Sequence, residues 1–442
     1  MEIGKLEQIV KDEIVQRKEE GYEVEEIEKR FIEMKKKSIS ELEEILRALE
    51  ESTIRRDFPY KEPLSLEEIK AEQPKKPEKF KVSLSETEFF DKIYGGWLGR
   101  CAGCLLGKAV EGLTKEKIEE WLRIADAYPL KYYFPALDTT REDIPEWLKR
   151  RIERGKQLGL LADHVNRMAR DDDIDYTIIN LHILEKHGLN FTTIDVGETW
   201  LSLLPYLKVY TAERAAYRNL VNGLKPPETA TYMNPYREWI GAQIRADMWG
   251  YVTPGNPGLA AELAYRDASL SHVKNGVYGE MFVSAMISTA YVTNEVEEII
   301  DAGLSVIPKN CRLAEAIRNV LSWSKKYSDW RDTLDKIYEK YGHYHPVHTI
   351  NNAAIVAMGL LYGRGDYEKS ITISVMGGLD TDCNGATVGS IVGVMLGSKA
   401  LPEEWIKPLN NLIESFVIGY NGSKISELAR RTLDFANKIL ME

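Results

Sequence analysis

The sequence predicts an all-α protein, and three observations carry that expectation. Apolar residues recur at helical spacing along most of the chain, as in Leu42, Ile45, Leu46 and Leu49. Alternating strand patterns closed by Asn-Gly turns are few, and strands do not alternate with helices as they would around a parallel sheet. Two stretches carry glycine at every fourth residue, a spacing that lines one face of a helix. With 442 residues, 44% of them hydrophobic, the chain can build one large or two modest cores.

Residues 1–80 differ from the rest. About half of them are charged, and apolar residues return at helical spacing at Leu6, Val10 and Ile14 and again at Ile27 and Phe31. Ser38-Ile39-Ser40-Glu41 and Ser65-Leu66-Glu67-Glu68 read as capping boxes, in which serine accepts an orphan N–H and Glu reaches back. Gln73 to Lys79 is a polar linker broken by Pro74 and Pro77. The expectation is a charged helical extension over 1–80 serving oligomerisation or docking, and a catalytic body over 81–442.

Composition excludes several functions. A net charge of −11 argues against a nucleic-acid groove, which needs clustered Lys and Arg to collect phosphates. No apolar run approaches the ~18 residues of a membrane span, and the acidic start does not resemble a secretory signal. Four cysteines cannot form a disulfide framework, so a reducing, cytoplasmic location is expected. Cys101 and Cys104 form a lone C-x-x-C among small residues, read as buried side chains rather than a zinc or redox pair.

The glycine ladders are Gly95, Gly99, Gly103 and Gly107, then Gly385, Gly389, Gly393 and Gly397. Glycine costs about 1 kcal/mol against alanine inside a helix, so four per helix require compensating close packing. Each ladder ends in carboxylates, Glu111 after the first and Asp380 and Asp382 before the second. If the helices pack antiparallel, these carboxylates share one end of the bundle.

A second acidic cluster, Asp171-Asp172-Asp173-Ile174-Asp175, opens a helix that Gly188 closes. N-capping explains one or two of these aspartates, since the helix dipole favours negative charge there. It does not explain three in a row, which repel unless a cation or shifted pKa relieves them. Asp380 and Asp382 sit in an apolar, glycine-rich stretch where unpaired charge is equally unfavourable. Oxygen donors of this kind suit two Mg²⁺ ions, or Mn²⁺, which orient substrate oxygens and polarise water.

At these residues the sequence resembles the ADP-ribosylglycohydrolase family, from about Phe89 to the C-terminus. The blocks, in order, are Tyr94-Gly95-Gly96-Trp97 through Glu111, the aspartate triplet, Ser269-Leu270-Ser271-His272, and Gly377-Gly378-Leu379-Asp380-Thr381-Asp382-Cys383-Asn384-Gly385. Asn351-Asn352-Ala353-Ala354 precedes the last. The resemblance implies an orthogonal all-helical bundle, a binuclear Mg²⁺ centre, and cleavage of a glycosidic bond to ribose in an ADP-ribosylated protein or small molecule. It implies Asp171, Asp172, Asp173, Asp380, Asp382 and Cys383 around metal, and Glu111, Asp172 and Asp382 in catalysis. His272, His348, Asn384 and Gly378 are then expected to meet substrate.

Three positions depart from the family pattern. Asp171 replaces a threonine, Cys383 replaces another, and Lys108 stands where many members carry aspartate. About 50 residues also separate Glu111 from the triplet, including an aromatic run from Tyr128 to Pro135 that covers a ligand or packs on the body. Two other functions remain open. Asp171-Asp172-x-x-Asp175 fits the Mg²⁺-diphosphate motif of all-α isoprenoid synthases, and an inert structural member of the same fold would keep the scaffold without turnover. His343, His345 and His348 form a loop near the site in preference to a zinc cluster, because Pro346 breaks their register.

Overall fold

The computed structural model describes residues 2–34 and 37–441. It is all-α, with twenty-two α-helices among the described residues and one antiparallel pair of two-residue strands, Leu412–Ile413 and Ser423–Lys424. The central pair is formed by the two ladder helices, Glu86–Lys108 and Thr381–Leu396. They run antiparallel, with Gly95 facing Gly393, Gly99 facing Gly389, Gly103 facing Gly385, and Gly107 facing Thr381. The approach is so close that a Cβ on Gly103 would lie 2.0 Å from the Gly385 carbonyl oxygen. The missing side chains are thus replaced by backbone-to-backbone contact, the compensation that four helical glycines require. The Tyr367 hydroxyl donates to the Gly99 carbonyl at 2.8 Å, and Trp97 donates to Thr432 at 3.2 Å, tying the pair to its neighbours.

The N-terminal segment has a small core of its own, formed by Leu6, Val10, Ile14, Phe31, Leu42, Ile45 and Leu49. Ser38 and Glu41 make the expected reciprocal cap at the Ile39–Glu50 helix. The segment does not stand away from the body. Arg237 pairs with Glu13 at 2.6 Å and Glu20 at 2.9 Å, and Arg312 bridges Glu62 at 2.8 Å and Glu238 at 2.7 Å. All six groups are buried or nearly so. Backbone bonds from Lys61 to Asn310 and from Phe80 to Gly255 then strap residues 52–84 across the body. Several of the segment's charges make its docking face. Removing one partner of such a buried pair is strongly destabilising, because the other charge is left uncompensated.

Within this interface, burial and then the neighbouring Glu238 push the Glu19 carboxyl up from 4.5 to about 8. The folded state therefore holds its proton where the unfolded chain has released it. Stability from this group is full below pH ~4.5 and is lost as pH rises to about 8. Glu19→Gln is expected to raise the melting temperature at pH 8 and to change it little at pH 4.5. A uniform shift at both pH values, read by differential scanning fluorimetry, would contradict this.

The insert between Glu111 and the aspartate triplet forms two helices, Lys115–Ile124 and Glu146–Leu158. Its aromatic run packs on the body. Phe134 meets Trp121 with centroids 5.0 Å apart, and the Tyr133 hydroxyl donates to the Trp405 carbonyl at 2.8 Å. Leu130, Tyr133 and Phe134 are buried, so this part of the run covers core rather than ligand. Among the described residues, no helix is long and apolar enough to cross a membrane.

Candidate active site

Antiparallel packing of the ladder helices brings the end of one beside the start of the other. Gly107 lies against Thr381, whose hydroxyl donates to the Gly107 carbonyl at 2.8 Å. The Asp172–His187 helix starts at the same place, with Asp171 as its N-cap. Asp171 accepts the Asp173 N–H at 3.0 Å, so capping occupies one carboxylate oxygen of one aspartate. The other oxygen accepts from the Lys108 ammonium. Burial pushes Asp171 up, but Lys108 and the N–H bond outweigh it and hold this carboxyl below its usual range.

Asp173 is fixed from the other side. The buried Arg100 of the first ladder helix donates to the Asp173 carbonyl at 2.8 Å and to Thr177 at 2.9 Å, and approaches the Asp173 carboxylate at 3.4 Å. The Cys383 thiol donates to the other Asp173 oxygen at 3.3 Å. One ligand atom each from Asp173, Asp382 and Cys383 lie within 4.8 Å of one another, and so do those of Cys104, Asp171 and Asp173. Aspartates about 210 positions apart in the sequence thus share one buried centre.

The second acidic loop is shaped by backbone geometry. Gly378 and Leu379 both take positive φ, 75° and 60°, turning the chain just before Asp380. Asn352 secures the turn, its carbonyl oxygen accepting the Asp380 N–H at 3.0 Å and the Asn384 amide at 2.8 Å. Burial, then Glu111 and Asp380, push Asp382 well above its ordinary range. Its Oδ1 is buried with no hydrogen-bond partner. Asp380 is raised to about 6, by burial first. An orphaned carboxylate oxygen among like charges is an arrangement that a bound divalent cation relieves, so a cation fits these residues. The sulfur of Cys383 does not suit magnesium, which prefers oxygen.

Glu111 is exposed on the turn after the first ladder helix, and Arg151 of the insert donates to its main-chain carbonyl. Asp172 is partly open, with 27% of its side chain exposed. These two carboxylates are the members of the set that reach the surface beside the buried group. Asp175 is diverted: it pairs with Arg170 at 2.8 Å and accepts from Ser415 at 2.6 Å. That engagement removes the third carboxylate of the isoprenoid-synthase pattern.

Not every expected residue joins the centre. The His272 side chain is buried and bonded to Ser271 at 2.8 Å, within the Arg245 network. His348 is buried under the N-terminal segment, 3.9 Å from Glu19. Substrate contact by these two histidines is therefore not met by this arrangement, since neither presents a free face. His345 stacks on Trp239 at 4.0 Å instead of binding metal. Gly378 serves the turn and lies against Tyr338 and Lys115. Conversely, Arg100, Asn352 and Cys104 lie in the blocks that carry the resemblance, but their roles in the centre were not among the expected ones. Cys104 is buried as expected, but its neighbours are Asp171 and Asp173.

Fold and site together define an all-α protein with a buried acidic centre whose Asp and Cys groups could hold a metal ion. The chain belongs to the ADP-ribosylglycohydrolase family, whose model matches residues 85–439. The family is one of glycohydrolases and is typically metal-dependent. Among solved structures, the chain is similar to an ADP-ribosylglycohydrolase-related protein complex. The two are 18% identical, with a TM-score of 0.49, and the match covers 79% of this chain and 99% of that one. No curated protein matches.

Proposed function

We propose that the protein is a metal-dependent glycohydrolase that cleaves an N- or O-glycosidic bond to ribose in an ADP-ribosylated protein or small molecule. The observation that carries this reading is the meeting of Asp173 and Asp382 in one buried centre, with Asp172 and Glu111 open beside it. Family membership supports the bond type. The orphaned Asp382 oxygen speaks against an inert scaffold, because an unpaired buried carboxylate has no structural purpose there.

Asp173, Asp382 and Cys383 would hold a divalent cation, which supplies charge to fix ribose hydroxyls and stabilise the departing bond. The chain's own groups do the rest. Arg100 fixes the position of Asp173, and Lys108 keeps Asp171 ionised. Glu111 takes a proton from water as the water oxygen bonds to the anomeric carbon and the glycosidic bond breaks. Cleavage at the anomeric carbon passes through an oxocarbenium-like state, and Glu111 returns the proton it took to the leaving nitrogen or oxygen.

The direct test is a panel of ADP-ribosylated peptides, O-acetyl-ADP-ribose and nucleosides, assayed with added divalent ions. Release of free ADP-ribose from at least one compound is expected, and inactivity on the whole panel would refute the reading. Glu111→Gln should lower turnover about a hundredfold or more while leaving cation affinity unchanged. Equal loss of both, measured by calorimetry beside the assay, would remove Glu111 from the proton-transfer role.

A further inference from the structure

The centre contains two thiols that an oxygen-seeking ion does not need. We propose that it holds a single thiophilic divalent ion, of the zinc, cobalt or iron(II) kind, between Asp173, Asp382 and Cys383, with Lys108 serving as the fixed second cation at Asp171. The inference rests on the proposed function's reading of this centre as a cation site, and specifies which ion and how many.

Two donor sets are available, and Asp173 belongs to both. Each contains one sulfur and two carboxylates: Asp173, Asp382 and Cys383 in one, Cys104, Asp171 and Asp173 in the other. They are not equivalent. In the first, Asp382 is only 5% exposed and its Oδ1 has no partner, so one ligand atom stands ready and unpaired. Asp173 Oδ2 meets Cys383 only through the thiol proton, at 3.3 Å, and a cation that binds thiolate replaces that proton with its own charge. Magnesium keeps most of its water and gains little from sulfur, whereas zinc-like ions accept mixed sulfur and oxygen donors in a four-coordinate shell.

The second set is already served. Both Asp171 oxygens are engaged, one by the Asp173 N–H at 3.0 Å and one by the Lys108 ammonium. Lys108 is largely buried, with 19% of its side chain exposed, and its charge also acts on Asp382, Cys104 and Glu111. An ammonium held in this position blocks a second ion electrostatically and occupies the oxygen such an ion would need.

The test is a Co²⁺ titration of full-length protein freed of metal by chelation, followed in the near-ultraviolet, where thiolate-bound cobalt shows a charge-transfer band. The band is expected to grow to one equivalent and stop, to collapse on adding Zn²⁺, and to survive a hundredfold excess of Mg²⁺. Cys383→Ser should lose it, and Cys104→Ser should keep it. Lys108→Ala should take up a second equivalent, and a stoichiometry still at one would overturn the role given to Lys108. Two equivalents in the unaltered protein, or binding without a sulfur band and reversed by Mg²⁺, would overturn the inference while leaving the cation site in place. Failure of every divalent ion to bind would remove the underlying reading as well.

Discussion

Asp382→Asn is expected to abolish hydrolysis and, in the same protein, to raise the melting temperature of the metal-free form. Asp382 is buried, carries an unpartnered oxygen, and feels Glu111, Asp380, Asp171 and Asp173 as like charges. Asparagine keeps the shape and removes the repulsion, a gain of about 1 kcal/mol on the scale of other relieved functional-site strain. The same change removes a cation ligand. If the cation contributes about 4 kcal/mol of transition-state stabilisation, turnover falls about a thousandfold. The two outcomes move in opposite directions, which separates this account from simple damage to the fold. A variant that is both inactive and less stable without metal would contradict it.

Gly103→Ala is expected to be strongly destabilising. Its Cβ would stand 2.0 Å from the Gly385 oxygen and 2.7 Å from the carbon behind it, and both atoms belong to backbone that cannot rotate away. Alanine's intrinsic helix preference returns about 1 kcal/mol, against a clash that only separation of the two helices can relieve. A net loss of about 3 kcal/mol or more, or failure to fold, should follow. Separation would also displace Thr381 from Gly107 and Asp382 from its neighbours, so surviving protein should bind cation weakly. Gly4→Ala is the control, since nothing lies within 4 Å of its Cβ, and it should be neutral or stabilising by denaturant titration. Similar effects at Gly4 and Gly103 would show that the ladders are not packed as described.

These two residues also show what could be read directly. Glycine at i, i+4, i+8 and i+12 has few explanations other than close helix contact. Consecutive aspartates at a helix start exceed what capping can use. From those features the close packing of the ladders was legible and, on the condition that the two helices pack antiparallel, so was the shared acidic end. Asp175 was not, because its partners Arg170 and Ser415 are set by the loops around it, one of them 240 residues away. Asn352 stood in a block the resemblance picks out, but an amide in an apolar helix gives no local sign that it will hold the Asp380 turn. The buried pairing of the N-terminal segment with the body was not legible for a general reason. Glu13, Glu20 and Glu62 look like solvated surface charges until Arg237 and Arg312 arrive from more than 200 positions downstream. Periodicity and local charge report an element's own preferences, whereas burial of a charge is decided by its distant partner.

The most direct test is anomalous diffraction from crystals grown with Co²⁺. A peak is expected about 2.1 Å from carboxylate oxygens of both Asp173 and Asp382. Cobalt bound by only one of these aspartates, or by neither, would contradict the claim that the two distant acidic segments form one cation-binding centre.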